Sequence, residues 1–174
     1  MTDKNKLIGL LKECGAIKFG HFVLTSGAVS DYYVDIKKAS TKPDVLKKIV
    51  EMMSEYAEGY DYLAGMELGA VPLLVALSLE TGIPYVIIRK EKKGHGTSKQ
   101  IEGDDINNKK VLIIEDVTTS GGSVVKTINT IRQNKGLVDE VLVVVDRESG
   151  AEEILHDHDV NFIPLLSVSE FLKK

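Results

Sequence analysis

Four short apolar runs punctuate the chain, at residues 62–66, 85–88, 111–114 and 141–145. Each is continuous rather than alternating and rich in β-branched residues, the pattern of strands covered on both faces by helices, as in parallel sheets. Segments of helical period lie between them. Val45, Ile49, Met52 and Tyr56 form one stripe behind Pro43-Asp44, a favourable helix start. Val124, Val125, Ile128 and Ile131 form another behind Gly121-Gly122-Ser123, and residues 70–79 are apolar nearly all round, as a helix buried against a sheet would be. Strands alternating with helices predict an α/β fold with a mostly parallel central sheet. The first forty residues and the last fifteen do not keep this rhythm. An initial helix carrying Leu7, Leu11 and Cys14 leads into short segments around Phe22-Val23-Leu24 and Tyr32-Tyr33-Val34-Asp35, which predict a small appended subdomain. Residues 89–108 form a long polar connection, and a loop of that length inside a compact domain is functional or disordered.

Composition narrows the classes. The chain has 174 residues and a formal net charge of −4, so it predicts one domain able to bury roughly 70% of its unfolded surface. Hydrophobic residues at 43% and charged residues at 28% exclude disordered and fibrous classes. The acidic balance argues against a nucleic-acid or anionic-membrane binder. Cys14 is the only cysteine, which leaves no disulfide framework and no cysteine-based zinc site. No apolar run is long enough to span a bilayer, and the N-terminus lacks the apolar centre of a signal peptide, so the expectation is a soluble cytoplasmic protein.

The chemistry concentrates in residues 111–123. A buried run ends in two acids, Glu115 and Asp116, and the turn Val117-Thr118-Thr119-Ser120-Gly121-Gly122-Ser123 then opens a helix. Backbone N–H groups of such a turn and the helix N-terminus converge on an anion, hydroxyls at 118, 119, 120 and 123 add donors, and the glycines permit close approach. A bare phosphate would be repelled by the two acids. They fit a ligand that also offers hydroxyl donors or carries Mg²⁺, as a ribose 5-phosphate does. A simply capped βα turn would account for one hydroxyl, not for four beside paired acids and glycines.

This segment resembles the 5-phosphoribosyl-1-diphosphate (PRPP) motif of type I phosphoribosyltransferases. Three further elements resemble the orotate-specific branch of that family: Phe22 to Gly27 followed by Ser30 to Asp35, the loop Arg89-Lys90-Glu91-Lys92-Lys93-Gly94-His95-Gly96, and Asp146-Arg147-Glu148-Ser149-Gly150. Together they cover nearly the whole chain. The resemblance implies a type I phosphoribosyltransferase fold as one domain over residues 1–174, with residues 1–40 and the C-terminal end forming a hood and 89–108 a mobile catalytic loop. It implies transfer of the phosphoribosyl group from PRPP to orotate in pyrimidine biosynthesis, Mg²⁺ carried mainly by PRPP and its diphosphate, and a homodimer with shared active sites. No protein-held metal site, nucleic acid or membrane belongs to that picture.

Site residues follow from the same resemblance. Lys93, His95 and Asp116 would be catalytic. Arg89, Lys90, Lys93, His95 and residues Glu115, Asp116, Val117, Thr118, Thr119, Ser120, Gly121, Gly122 and Ser123 would bind PRPP, and Thr119 and Arg147 would bind orotate. Ser26, Gly27 and Tyr33 would line the other side of the base. Physical readings of these residues leave alternatives. The loop at 89–99 carries +4 on an otherwise acidic chain, which suits a departing diphosphate but is also what a solvated loop looks like. Glu67-Leu68-Gly69-Ala70 is a second anion-binding turn or an ordinary βα turn, and the resemblance favours the diphosphate. Arg147 suits a carboxylate in bidentate fashion, or an ion pair with Glu148 or Asp146. Thr25 stands where many relatives carry Lys, so one positive contact is missing or supplied elsewhere. His156 and His158, at i,i+2, are expected in a surface turn. Two rival functions stay open: a purine phosphoribosyltransferase and a non-catalytic PRPP-sensing regulator.

Overall fold

A computed structural model describes residues 2–23, 29–91 and 100–172 of the chain. Helix α1 (Asp3–Glu13) starts where the Thr2 side chain accepts from the Asn5 N–H, and it buries Leu7 and Leu11. Cys14 is the half-buried C-cap of this helix and packs against the core, with its thiol 3.5 Å from the Leu11 carbonyl. Strands β1 (Ile17–Val23) and β2 (Val29–Val34) form an antiparallel pair separate from the main sheet. Helices α2 (Ile36–Ser40) and α3 (Pro43–Ser54) follow.

The main sheet contains β3 (Tyr62–Met66), β4 (Tyr85–Ile88), β5 (Ile101–Glu102), β6 (Val111–Thr118), β7 (Glu140–Asp146) and β8 (Asn161–Ser167) in the spatial order β5-β4-β3-β6-β7-β8. All pairs are parallel except β4 with β5. Crossover helices are α4 (Val71–Thr81), α5 (Gly122–Gln133) and α6 (Ala151–His156), and α7 (Val168–Leu172) ends the described chain. Both faces of the sheet are covered, which explains the continuous apolar runs. Within β6, Leu112 and Ile114 enter the core on one face with α1, α3 and α4, while Val111 and Ile113 enter the core on the other with α5.

Three expectations need correction. The last fifteen residues do not leave the strand–helix rhythm: β8 adds a parallel edge strand beyond β7. The long polar connection is not structureless throughout, because Ile101–Glu102 pairs with Ile87 and Ile88 and Ile106 is buried. Helix α4 is not buried all round: Leu73, Leu74 and Leu77 face the core, while Val75 and Leu79 are exposed at 38% and 83%.

From β3 the chain moves outward to β4. It then crosses back to β6 on the other side of β3 and continues outward to β7 and β8. The strand order therefore reverses between β3 and β6, and in open α/β sheets the crevice beyond the carboxyl ends at such a reversal receives ligands.

Candidate active site

At that crevice lies an open cavity of about 390 Å³, lined among others by Lys37, Glu67, Gly69, Lys90, Glu115 and Asp116. A separate cavity of about 320 Å³ beside β5 shares no lining residue with it.

Strand β6 runs past the two acids to Thr118, four residues beyond the apolar run. Successive residues of a strand face opposite ways, so the carboxylates diverge. Asp116 abuts Gly69, and Glu115 turns to α5, where Ser123 Oγ donates to it at 3.2 Å. The Asp116 N–H donates to the other Glu115 oxygen at 3.1 Å. Both side chains are buried. Desolvation, with the adjacent Asp116 carboxylate adding to it, pushes the Glu115 carboxyl up to about 8.

Strand extension also changes the roles of the hydroxyls. Thr118, expected as a donor to an anion, is buried, and its Oγ1 donates to Asp146 at 3.0 Å. Thr119, Ser120, Gly122 and Ser123 are exposed around the turn. Gly121 holds φ at 77°, a left-handed conformation that glycine adopts without strain. Its lack of a side chain also leaves the first turn of α5 without a side-chain cap. The first N–H groups of a helix have no intrahelical acceptor, so this terminus offers donors to a ligand.

The Glu67–Ala70 turn follows β3, with the Glu67–Leu68 peptide in the cis form. Glu67 accepts from the Lys90 N–H at 2.9 Å, and Lys126 Nζ on α5 bonds the Lys90 carbonyl. Lys90 is thereby held by its backbone on both sides at the cavity. Arg89 is directed differently: Nη1 pairs with Glu102 at 3.2 Å, and it is absent from the described lining. Lys93 and His95, with Lys92 and Lys99, lie outside the described residues, as do Thr25, Ser26 and Gly27.

Arg147 follows β7 directly, and its N–H donates to the Thr118 carbonyl at 3.0 Å. Its guanidinium does not ion-pair with Asp146 or Glu148. It stands over the Tyr32 ring, 5.0 Å from the centroid, with Nε 3.4 Å from Tyr32 Oη and Nη2 3.5 Å from Ser30 Oγ. The tyrosine beside Arg147 is thus Tyr32, while Tyr33, expected on the other side of the base, packs on Phe22. Strand alternation in β2 separates the two tyrosines.

Sequence reasoning missed Lys37 and Lys126. Asp35 caps α2 by accepting from the Lys38 N–H at 3.0 Å, Ile36 and Ala39 are fully buried, and Lys37 is left reaching to Asp116 at 3.5 Å. His158 turns Nδ1 to the Ile154 carbonyl at 2.8 Å.

Residues 35–170 match the model of the phosphoribosyl transferase domain. The orotate phosphoribosyltransferase of Methanosphaera stadtmanae is 52% identical over 176 residues, covering 99% of each chain. The crystal structure of orotate phosphoribosyltransferase from Aeropyrum pernix superposes with a TM-score of 0.88 at 32% identity, covering 96% of each chain. That of the Mycobacterium tuberculosis enzyme in complex with PRPP gives 0.80 at 26% identity, over 97% of this chain and 98% of the other.

Proposed function

Because this chain belongs to the phosphoribosyltransferase family, among its orotate phosphoribosyltransferases, and so forms orotidine 5′-monophosphate and diphosphate from orotate and PRPP, we propose that the cavity between β3 and β6 is where that transfer occurs. One observation carries the reading: a buried carboxylate pair and an uncapped helix N-terminus open onto the same crevice at the sheet's reversal. The names of the relatives speak against a purine substrate and against a non-catalytic regulator.

In this reading PRPP lies along β6. Its 5-phosphate takes the N–H groups of the turn at 119–123 and the hydroxyls of Thr119 and Ser120, Ser123 joins them by turning its hydroxyl away from Glu115, and Thr118 contributes through its backbone. Glu115 and Asp116 accept hydrogen bonds from the ribose hydroxyls. Diphosphate lies against the Glu67–Ala70 turn and Lys90, with Lys93 and His95 stabilising it as it leaves and Arg89 anchoring the same loop. Arg147 and Thr119 orient orotate, the guanidinium facing its carboxylate and Tyr32 supporting the guanidinium from behind. As the bond from C1 to diphosphate breaks, positive charge grows on the ribose and negative charge on the leaving group, so positioning and electrostatic stabilisation supply the catalysis.

Mg²⁺ fits this donor set as a cation held chiefly by substrate oxygens. Three carboxyl side chains, Glu67, Glu115 and Asp116, line the crevice, but no group of three His, Cys, Asp or Glu placed to hold a metal ion occurs among the described residues, so there is no all-protein cage. Bound there, it would neutralise developing charge on the diphosphate. The family resemblance also supports a homodimer with shared sites in the cytoplasm, serving pyrimidine nucleotide synthesis, with residues 1–40 and the C-terminal end as a hood. Exposed Val75 and Leu79, one turn apart on α4, are the kind of apolar face a second copy covers. No helix among the described residues is long and apolar enough to cross a membrane.

Absorbance loss of orotate with PRPP and Mg²⁺ tests the reading, with hypoxanthine, adenine and uracil as competitors. Consumption of PRPP should require orotate. Lys93→Ala and His95→Ala should lower turnover far more than they weaken orotate binding. PRPP consumption indifferent to orotate would overturn the assignment.

A further inference from the structure

Lys37 is the one ammonium group that a rigid part of the described fold delivers to the cavity by its side chain from outside the loop at 89–99. It sits on a short helix whose neighbours Ile36 and Ala39 are wholly buried and whose N-terminus is capped by Asp35. Lys38, the adjacent residue, extends the other way, toward Gly15. Lys37 lines the cavity together with Glu67, Leu68 and Gly69, the turn read above as the diphosphate site.

That turn contains no cation of its own. Among the described residues lining the cavity, the carboxylates of Glu67 and Asp116, with Glu115 held largely protonated by burial, face only two ammonium groups, Lys37 and Lys90. A diphosphate entering this lining meets no net positive charge, and Lys37 is already turned to Asp116. Lys37 is suited to turn to the diphosphate instead. Its link to Asp116 is long, at 3.5 Å, and its side chain is 60% exposed against 11% for Asp116. An ion pair so loose and wet gains little by staying closed. A diphosphate oxygen, carrying more charge than one carboxylate oxygen, is the stronger acceptor.

We propose that Lys37 is a substrate-binding residue whose ammonium group moves from Asp116 to the diphosphate of PRPP, giving the site a fixed cation independent of the loop at 89–99. This rests on the reading of the cavity as the PRPP site. When substrate is absent, Lys37 neutralises Asp116; when it binds, Asp116 is released to accept from the ribose hydroxyls. One residue thereby offsets repulsion in the empty site and attracts the leaving group in the filled one.

The experiment compares Lys37→Met, Lys37→Gln and Lys37→Arg with the wild-type enzyme. It reads KM for PRPP and the product-inhibition constants of inorganic diphosphate and of orotidine 5′-monophosphate, with thermal melting as a check on folding. Loss of one charge-assisted contact should raise the PRPP KM and the diphosphate inhibition constant by about tenfold in the Met and Gln variants. Lys37→Arg should restore both. Inhibition by orotidine 5′-monophosphate, which has the ribose hydroxyls but no diphosphate, should be unchanged. Parallel weakening of both inhibitors would assign Lys37 to holding Asp116 instead and overturn the inference. Unaltered PRPP kinetics in an active Lys37→Met enzyme would overturn it alone, whereas a wild-type chain that ignored PRPP would remove the reading of the cavity beneath it.

Discussion

Gly69→Ala gives a sharp test of how closely the two halves of the crevice fit. A Cβ built at residue 69 would lie 2.2 Å from Asp116 Oδ2, 2.4 Å from Cγ and 2.6 Å from Oδ1, where ordinary contacts are 3.4–4 Å. Every carboxyl atom of Asp116 would have to retreat by about an ångström or more. Asp116 has a short side chain on a central strand and is buried, so it has little room. Overpacking of this kind costs about 1–3 kcal/mol, which for a domain of this size lowers the melting temperature by roughly 2–4 °C per kcal/mol. Catalysis should suffer more. Displacing a positioning group by about 1 Å costs on the order of 10²-fold in rate, so kcat for orotidine 5′-monophosphate formation should fall by about that factor while the protein stays folded at assay temperature. The readout is initial-rate kinetics beside a melting curve. A Gly69→Ala enzyme with wild-type kcat and KM would refute the account of Asp116 and of the fit between the turn and β6.

Three further outcomes follow from the same structure. Gly9→Ala, inside α1 with nothing within 4 Å of the added Cβ, should raise stability by about 0.5–1 kcal/mol and leave activity intact; a lower melting temperature would contradict the helix assignment. Burial raises the Glu115 carboxyl from 4.5 to about 8. The unfolded chain therefore releases this proton first, and the group's stabilising contribution, complete below the lower value, is lost as pH rises to the upper one. Glu115→Gln should flatten that part of the melting profile of the substrate-free enzyme, and an unchanged slope would count against the buried pair as its source. Arg147→Lys keeps the charge but loses the fork and the stacking on Tyr32, so KM for orotate should rise about tenfold or more with KM for PRPP unmoved; equal effects on both would place Arg147 outside the base site.

The strands that could be read from the chain were those whose burial leaves a mark on every residue. Residues 62–66, 85–88, 111–114 and 141–145 lie within parallel strands covered on both sides, so no polar residue interrupts them. Strand β8 escaped because it is an edge strand whose run is broken by Pro164, and β5 because two residues cannot establish a period. The acids at 115 and 116 were legible as chemistry because two carboxylates closing an apolar run have no packing rationale. Thr118 was misjudged for a related reason. Its place in the site depended on the strand ending at the acids, and β6 runs two residues further. Lys37 carried no local signal at all. Beside Lys38 it looks like a solvated pair, and only the cap at Asp35 and the burial of Ile36 separate the directions of the two.

The ion pair between Lys4 and Glu170, 3.0 Å apart, has a consequence for the topology of the chain. It brings the first helix and the last within one side-chain length of each other at the surface, so the described polypeptide is nearly a ring. A linker joining the two helices would start and finish beside that surface ion pair. Circular permutants opened in an exposed turn such as Gly59, or fusions seating the whole enzyme within a surface loop of a host protein, should therefore preserve the fold. For engineering purposes the molecule is a cassette with a single point of attachment.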